Sequence, residues 1–235
     1  MDTTTILKDE ALTKYVLHKA NTRGHANHGW LESYHTFSFA NYHNPERMNF
    51  GVLRVLNDDR VNQGMGFGKH PHDNMEIISI PLEGDLEHQD SMGNVTVIKK
   101  GDIQVMSAGT GIFHSEYNKN KDQEVKFLQI WVYPNQKNVM PRYDQITLDL
   151  NDRHNKLQQI LSPNPEDEGV WIHQDAWFHL GKFDNGFSTS YPLKKAGNGI
   201  YAFVLKGDFT IGNISLNERD GLVIWDTNTI SITAN

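Results

Sequence analysis

The sequence predicts an all-β fold, a sandwich or barrel, built in two related halves. Three observations carry this reading. Short apolar or alternating runs recur at close spacing between turns rich in Gly, Asn and Asp. Almost no segment has the periodicity of an amphipathic helix. The second half repeats strand-and-turn blocks of the first, in the same order. A doubly wound fold would need helices between the strands, and none are legible.

The elements follow in order. Tyr34-His35-Thr36-Phe37-Ser38-Phe39 alternates and reads as a strand. Val52 to Leu56 is a short apolar strand, with Asn57-Asp58-Asp59 as its closing turn. Gly64, Gly66 and Gly68 loosen the backbone ahead of His70-Pro71-His72. Met75 to Leu82 is a strongly apolar strand that ends at Glu83-Gly84-Asp85. Leu86 to Asp90 and Val95 to Ile98 are two arms around the turn Ser91-Met92-Gly93-Asn94. Ile103 to Met106 precedes the loop Ser107-Ala108-Gly109-Thr110-Gly111, and Val125 to Tyr133 is the last long strand of this half. Pro134 and Pro141 mark a linker, and Ser162 to Gly169 is a polar turn region.

The repeat aligns Ile77 to Asp85 with Tyr201 to Asp208, and Lys100 to Met106 with Arg219 to Trp225. The turn Gly93-Asn94 matches Gly212-Asn213. After His179 the chain has no His, so a His-built site belongs to the first copy.

At 235 residues the chain is long enough for one large domain or two small ones. The absence of Cys excludes disulfides, thiolate metal sites and a Cys nucleophile. The net charge is -7 and no long basic run occurs, which disfavours direct nucleic-acid binding. The start MDTTTILKDEALTK lacks a basic segment followed by an apolar one, so a secretory signal is not expected. No apolar run reaches the roughly 18 residues of a spanning helix, so no membrane partner is expected and the expected location is the cytoplasm.

Histidine is the unusual component. Of 12, nine lie between His18 and His114. His70 and His72 are two apart, and so are His114 and Glu116. On a strand, residues two apart share a face. Two such pairs on facing strands would bring three imidazoles and a carboxylate to one interior point, a donor set suited to a divalent first-row metal. Six-coordination would leave two positions for a substrate oxygen and dioxygen. Glu76 shares parity with His70 and His72. It reads as a fifth ligand, a group behind a ligand, a base, or a strand-end carboxylate that never reaches the metal. His88 reads as a surface or hairpin residue, or as a group that orients a ligand's partner. His25 and His28 sit in a Gly- and Asn-containing loop and read as structural. Trp30, Tyr34, Phe37 and Phe39 pack the core or line its mouth. No GxGxxG–helix, Walker A or GxSxG motif occurs, which removes the common nucleotide and serine-hydrolase readings.

The stretches RGHANHGWLESYHTFSFANY, GFGKHPHDNMEI, LEGDLEHQDSMGN and MSAGTGIFHSE resemble the pirin family of the cupin superfamily. The likeness covers nearly the whole chain and points to the bacterial pirins described as quercetin 2,3-dioxygenases. It implies two antiparallel β-barrels of the cupin, or jelly-roll, type: a bicupin. The expected division is a metal-binding barrel at 1–140 and a metal-free barrel at 141–235. The resemblance implies one metal, usually taken as Fe(II), on His70, His72, His114 and Glu116; Mn, Ni, Co, Zn and Cu suit such donors too. It also turns Glu76 from ligand toward another role. Ser107-Ala108-Gly109 stands where the superfamily has PxG, as is normal for pirins. The chain stops at Ser231-Ile232-Thr233-Ala234-Asn235 where relatives usually add a strand, which leaves the second barrel shortened or differently capped.

The implied activity is a metal-dependent dioxygenase that opens the central ring of a flavonol such as quercetin. Glu116 or Glu76 would take the proton of the 3-hydroxyl. The alternative class is a metal-loaded, redox-sensing regulatory protein acting through a protein partner. A dioxygenase for another aromatic enol is a third reading, and a storage-type structural cupin a fourth, disfavoured by the intact ligand set.

Overall fold

The computed structural model describes residues 14–235; the N-terminal segment read above for a signal lies almost wholly outside them. Apart from two short 3-10 turns, Ala20–Thr22 and Leu150–Arg153, every regular element described is a strand. In order these are Tyr15–His18 (β1), Gly24–Asn27 (β2), Leu31–His35 (β3), Leu53–Val61 (β4), Gly66–His72 (β5), Glu76–Glu83 (β6), Leu86–Asp90 (β7), Val95–Ile98 (β8), Asp102–Ser107 (β9), Ile112–Asn118 (β10), Val125–Val132 (β11), Arg142–Thr147 (β12), Leu157–Ser162 (β13), Val170–Trp171 (β14), Phe178–Gly181 (β15), Ser188–Pro192 (β16), Ile200–Phe203 (β17), Phe209–Ile211 (β18), Ile214–Leu216 (β19), Gly221–Ile224 (β20) and Thr229–Ala234 (β21). No helix among the described residues is long and apolar enough to cross a membrane.

The chain forms two compact units. One comprises Arg23–Asp152 and Gln158–Leu180; the other comprises residues up to Thr22, Arg153–Leu157 and Gly181–Asn235. Both are assembled from separated stretches, so a single cut near residue 140 does not divide the chain. Pairing explains this. Strand β12, beyond the proline linker, joins β9 in the first unit. Strand β1, at the other end, joins β20 in the second.

The first unit has a seven-stranded sheet in the order β12-β9-β6-β11-β4-β3-β2 and a four-stranded sheet in the order β5-β10-β7-β8. A small sheet, β14-β13-β15, completes it. The inner faces of the two main sheets meet, and the core between them is layered. At one end Leu31, Val61, Leu86, Ile98, Val125 and Phe127 form an apolar cluster with Trp30 and Phe67. Ile77, Met106, Ala108 and Ile112 form another with Met75 and Trp131. Each fully buried side chain of this size contributes roughly 1.5–3 kcal/mol.

A polar row crosses the seven-stranded sheet within this core. His35 faces Asn57, Asn57 faces Gln129, Gln129 faces Ser79, and Ser79 faces Gln104 across successive strand pairs. All five are buried. This is why β4 does not stop where a turn was expected. Asn57-Asp58-Asp59 continues the strand to Val61, with Asn57 and Asp59 directed inward and buried. Conversely, the strand expected over Tyr34 to Phe39 ends at His35.

The second unit has sheets β1-β20-β17 and β16-β21-β18-β19, with Val204, Ile211, Leu216, Leu222, Ile224 and Ile230 in its core. Strand β21, the last in the chain, pairs on both sides with β16 and β18 and is thus an interior strand. The repeat is visible in three dimensions. In the first unit β6 and β9 pair around the β7–β8 hairpin. In the second, β17 and β20 pair around the β18–β19 hairpin.

Gly66 marks the closest approach of β5 to β10. A Cβ there would lie 2.2 Å from the carbonyl oxygen of Glu116 and 2.5 Å from Cα of Tyr117. Backbone cannot step aside as a side chain can, so Gly66→Ala is expected to destabilise by about 2–3 kcal/mol in urea unfolding. A change near zero would show that the strands separate easily.

Asp59 yields a second expectation. It accepts a hydrogen bond from the Ser33 hydroxyl. Burial raises its carboxyl to about 7; the Ser33 bond opposes the rise and the charge of Glu116 adds to it. Unfolded Asp titrates near about 3.9. Between these values the folded chain keeps a proton that the unfolded chain has lost, so stability falls as pH rises through that window. Asp59→Asn is expected to gain stability relative to wild type at about pH 8 and much less at about pH 5. Parallel pH profiles for the two proteins would contradict this.

Candidate metal centre

Three neighbouring strands of the four-stranded sheet build the site. Strand β10 lies between β5 and β7. His114 faces His70 on one side and Asp90 on the other. Glu116 faces His88, and the register against β5 shifts between His114 and Glu116. The two-residue spacings place His70 with His72, His114 with Glu116, and His88 with Asp90 on the inner face.

The rings of His70, His72 and His114 form a triangle with centroids 4.4 Å, 4.9 Å and 4.9 Å apart. The ligating atoms of this trio lie within 4.8 Å of one another. His70 donates Nδ1–H to the Gly68 carbonyl at 2.8 Å, which turns its Nε2 lone pair inward. That Nε2 stands 3.0 Å from Nε2 of His114. Two such nitrogens need a proton or a cation between them. Nε2 of His72 is buried with no hydrogen-bond partner. Burial, aided by the neighbouring His70, lowers His72 to about 4 and His114 to about 2, so both rings are neutral donors near neutral pH.

Glu116 is buried, its carboxylate within reach of His114 and His88. Its Oε1 accepts a hydrogen bond from Ser79 at 2.9 Å and its Oε2 accepts one from Gln129 at 2.7 Å. Both donors come from the polar row of the facing sheet. Burial pushes the carboxyl up, and the nearby His88, the Ser79 hydroxyl, His70 and Gln129 hold it down. Neutral imidazoles, one inward carboxylate and unpaired buried nitrogens together fit a divalent transition metal. Trp131 closes one side, its ring 4.9 Å from that of His72, with Phe39 packed edge-on behind it at 5.3 Å.

Two sequence-based expectations change here. Glu76 does not enter the cluster. Between His72 and Glu76 the chain turns at Asp73-Asn74, with Asn74 at a φ of 44°, and parity is lost. On β6 it is Ile77 that shares the row of Trp131, so Glu76 points to the opposite face of the sheet. There it accepts a hydrogen bond from Ser107 at 2.7 Å and another from the backbone of His173. Burial raises its carboxyl while the Ser107 hydroxyl and Arg142 oppose that rise. It therefore cannot serve as the base at the centre.

His88 is the opposite case. It is completely buried, not a surface residue. His88, His114 and Glu116 form a second trio whose ligating atoms lie within 4.8 Å. The signal was its spacing to Asp90, which repeats the His-x-acid pattern of the neighbouring strand. Ser79 and Gln129 were also missed. Each is a lone polar residue inside an apolar run, Ile78-Ser79-Ile80 and Leu128-Gln129-Ile130. His25 lies outside the cluster, stacked on Tyr34 at 4.6 Å and 3.2 Å from Glu32. Among the described residues, both trios belong to the first unit.

The comparisons with known proteins agree with this architecture. The Pirin family model matches residues 16–132, and the model of the quercetinase C-terminal cupin domain matches residues 159–235. A quercetin 2,3-dioxygenase of Escherichia coli K12 is 45% identical over 218 residues, covering 93% of each chain. The crystal structure of YhhW from Escherichia coli superposes with a TM-score of 0.90 at 45% identity, covering 94% of this chain and 93% of that one. The bacterial pirin YhhW in complex with nickel(II) gives a TM-score of 0.89 at 44% identity, covering 94% of both. A divalent ion in so similar a fold is what the buried imidazoles require. At this identity and coverage the chain belongs to the pirin family, as a bicupin alongside the bacterial pirins named quercetin 2,3-dioxygenases.

Proposed function

We propose that this protein is a metal-dependent dioxygenase that opens the central ring of a flavonol such as quercetin. The observation that carries the reading is the convergence of His70, His72 and His114, with the buried Glu116 beside His114, in a chain 45% identical to a quercetin 2,3-dioxygenase. His70, His72, His114 and Glu116 would hold the metal, with Fe(II) as the ion of this reading. When bound, the metal supplies Lewis acidity for an enolate oxygen and a meeting point for that oxygen and dioxygen.

The chain's own residues have separate tasks. Glu116 takes the proton of the flavonol 3-hydroxyl on a carboxylate oxygen. Ser79 and Gln129 aim that carboxylate. Trp131 and Phe39 offer a flat apolar wall against which an aromatic ring stacks. The metal-free second unit is structural in this scheme. Each unit is read as a cupin-type barrel. In the first, this is supported by the 2.6 Å hydrogen bond between Thr96 of β8 and Tyr143 of β12, which joins the two sheets at their outer strands. A cytoplasmic location belongs to the same reading, because a reducing compartment suits a reduced iron site.

The test is aerobic incubation of Fe(II)-loaded protein with quercetin while carbon monoxide is measured. Wild type and Glu76→Gln are expected to release it. His70→Ala and Glu116→Ala are expected to lose at least about 100-fold in rate. No carbon monoxide from fully loaded wild type would sink the quercetinase reading. Undiminished activity in both alanine variants would sink the site assignment.

A further inference from the structure

His114 has two ring nitrogens, and the metal reading uses one. Its Nδ1 is buried with no hydrogen-bond partner. So is Nδ1 of His88. Two buried polar atoms without partners are costly unless something pairs them.

The proton on His88 can be located from its neighbours. Asp90 Oδ1 accepts the backbone N–H groups of Met92 and Asn94 at 2.9 Å and 3.1 Å. Oδ2 accepts the side-chain amide of Asn94 at 2.8 Å. A carboxylate so surrounded by donors is an acceptor only. The His88 Nε2–Asp90 Oδ2 contact at 3.1 Å therefore has its proton on His88 Nε2. In the neutral ring that proton leaves the lone pair on Nδ1.

His114 has the complementary need. To offer a lone pair from Nε2 toward His70 it must carry its proton on Nδ1, and that N–H needs an acceptor. In the reading above, the four lone-pair sites of Glu116 go to Ser79, Gln129, the metal and the substrate proton. His88 is the other member of the trio, its ring centroid 5.4 Å from that of His114 and tilted by 48°.

We propose that Asp90 and His88 form a relay behind His114, in which Asp90 accepts His88 Nε2–H and His88 Nδ1 accepts His114 Nδ1–H. One bond then satisfies both orphaned nitrogens. As the rings stand the bond is not made, so the relay is a property of the metal-loaded protein. The relay fixes the tautomer and ring plane of His114 and strengthens Nε2 as a donor. His88 and Asp90 are positioning residues, since neither touches substrate. The inference rests on the reading that His114 ligates metal through Nε2.

Two measurements test it. The first is nickel(II) affinity of the metal-free chain in competition with a chelator. Wild type is expected to bind one ion per chain. His88→Phe keeps the bulk but removes the acceptor and is expected to bind about 10–100-fold more weakly. His88→Asn restores an acceptor oxygen at the position of Nδ1 and is expected to recover most of that loss. Equal affinity for wild type and His88→Phe overturns the relay, as does an Asn variant as weak as Phe. A second ion bound through His88 also overturns it. The second measurement uses wild type only, so it does not depend on any variant folding. In zinc-loaded protein labelled with nitrogen-15 histidine, a coupling across the hydrogen bond is expected to connect Nδ1 of His114 with Nδ1 of His88. Zinc bound without that coupling overturns the relay alone. Undiminished nickel binding by His70→Ala would overturn the ligand assignment beneath it as well.

Discussion

The register of β10 between β5 and β7 is the constraint on which the rest depends. A strand slipped by one residue turns every side chain to the other face. Here a slip would remove His114 and Glu116 from the interior together. The pairing puts His70, His114 and Asp90 in one row and Glu116 with His88 in the next. The shift between His114 and Glu116 lets β10 serve both neighbours without losing the row. No single residue makes the centre; three strands in one register make it.

The facing sheet answers with its own row of polar residues, and the cost of burying them is met only in part, since Asn57 and Gln104 keep buried amide atoms without partners. Ser79 and Gln129 bond to Glu116, and Ser33 bonds to Asp59. Apolar clusters lie on either side, so the polar band is enclosed by groups that strongly favour burial. Inside such an enclosure the effective dielectric is low, and each charge and dipole acts more strongly than it would in water. The same burial that keeps His72 and His114 neutral makes the carboxylate of Glu116 reluctant to ionise. A cation resolves both at once, which is why this interior suits a metal better than any arrangement of protons.

Much of this was legible in the residues. The turns at Gly84, Gly93 and Gly101 and the apolar runs around them place β6 to β9 and β11 within a residue or two. The pairing of His70-x-His72 with His114-x-Glu116 points to the centre because strand parity is a local rule. What parity cannot see is a break. Glu76 counts as even only if the strand continues through Asp73-Asn74, and the left-handed Asn74 ends it. The opposite error occurred at Asn57-Asp58-Asp59. Polar composition reads as a turn, but these residues stay in a strand because the core they face is itself polar. Ser79, Gln129 and His88 were hidden for the same reason. Their role depends on partners far away in the chain, and no local pattern reports those. The two-unit division was legible from the repeat, whereas its boundary was not, since β1 and β12 cross it by pairing.

The placement of β1 has a consequence for how the chain is made. Tyr15 pairs with Ile224, so β1 waits for a partner made much later in synthesis. The residues of the metal unit end at Leu180, well before that partner exists. The metal unit has all its strands available while the other sheet still lacks its centre, because β20 separates β1 from β17. Closing so long a loop is slow and entropically costly. Strand β20 then joins both β1 and β17, so one late strand closes the sheet.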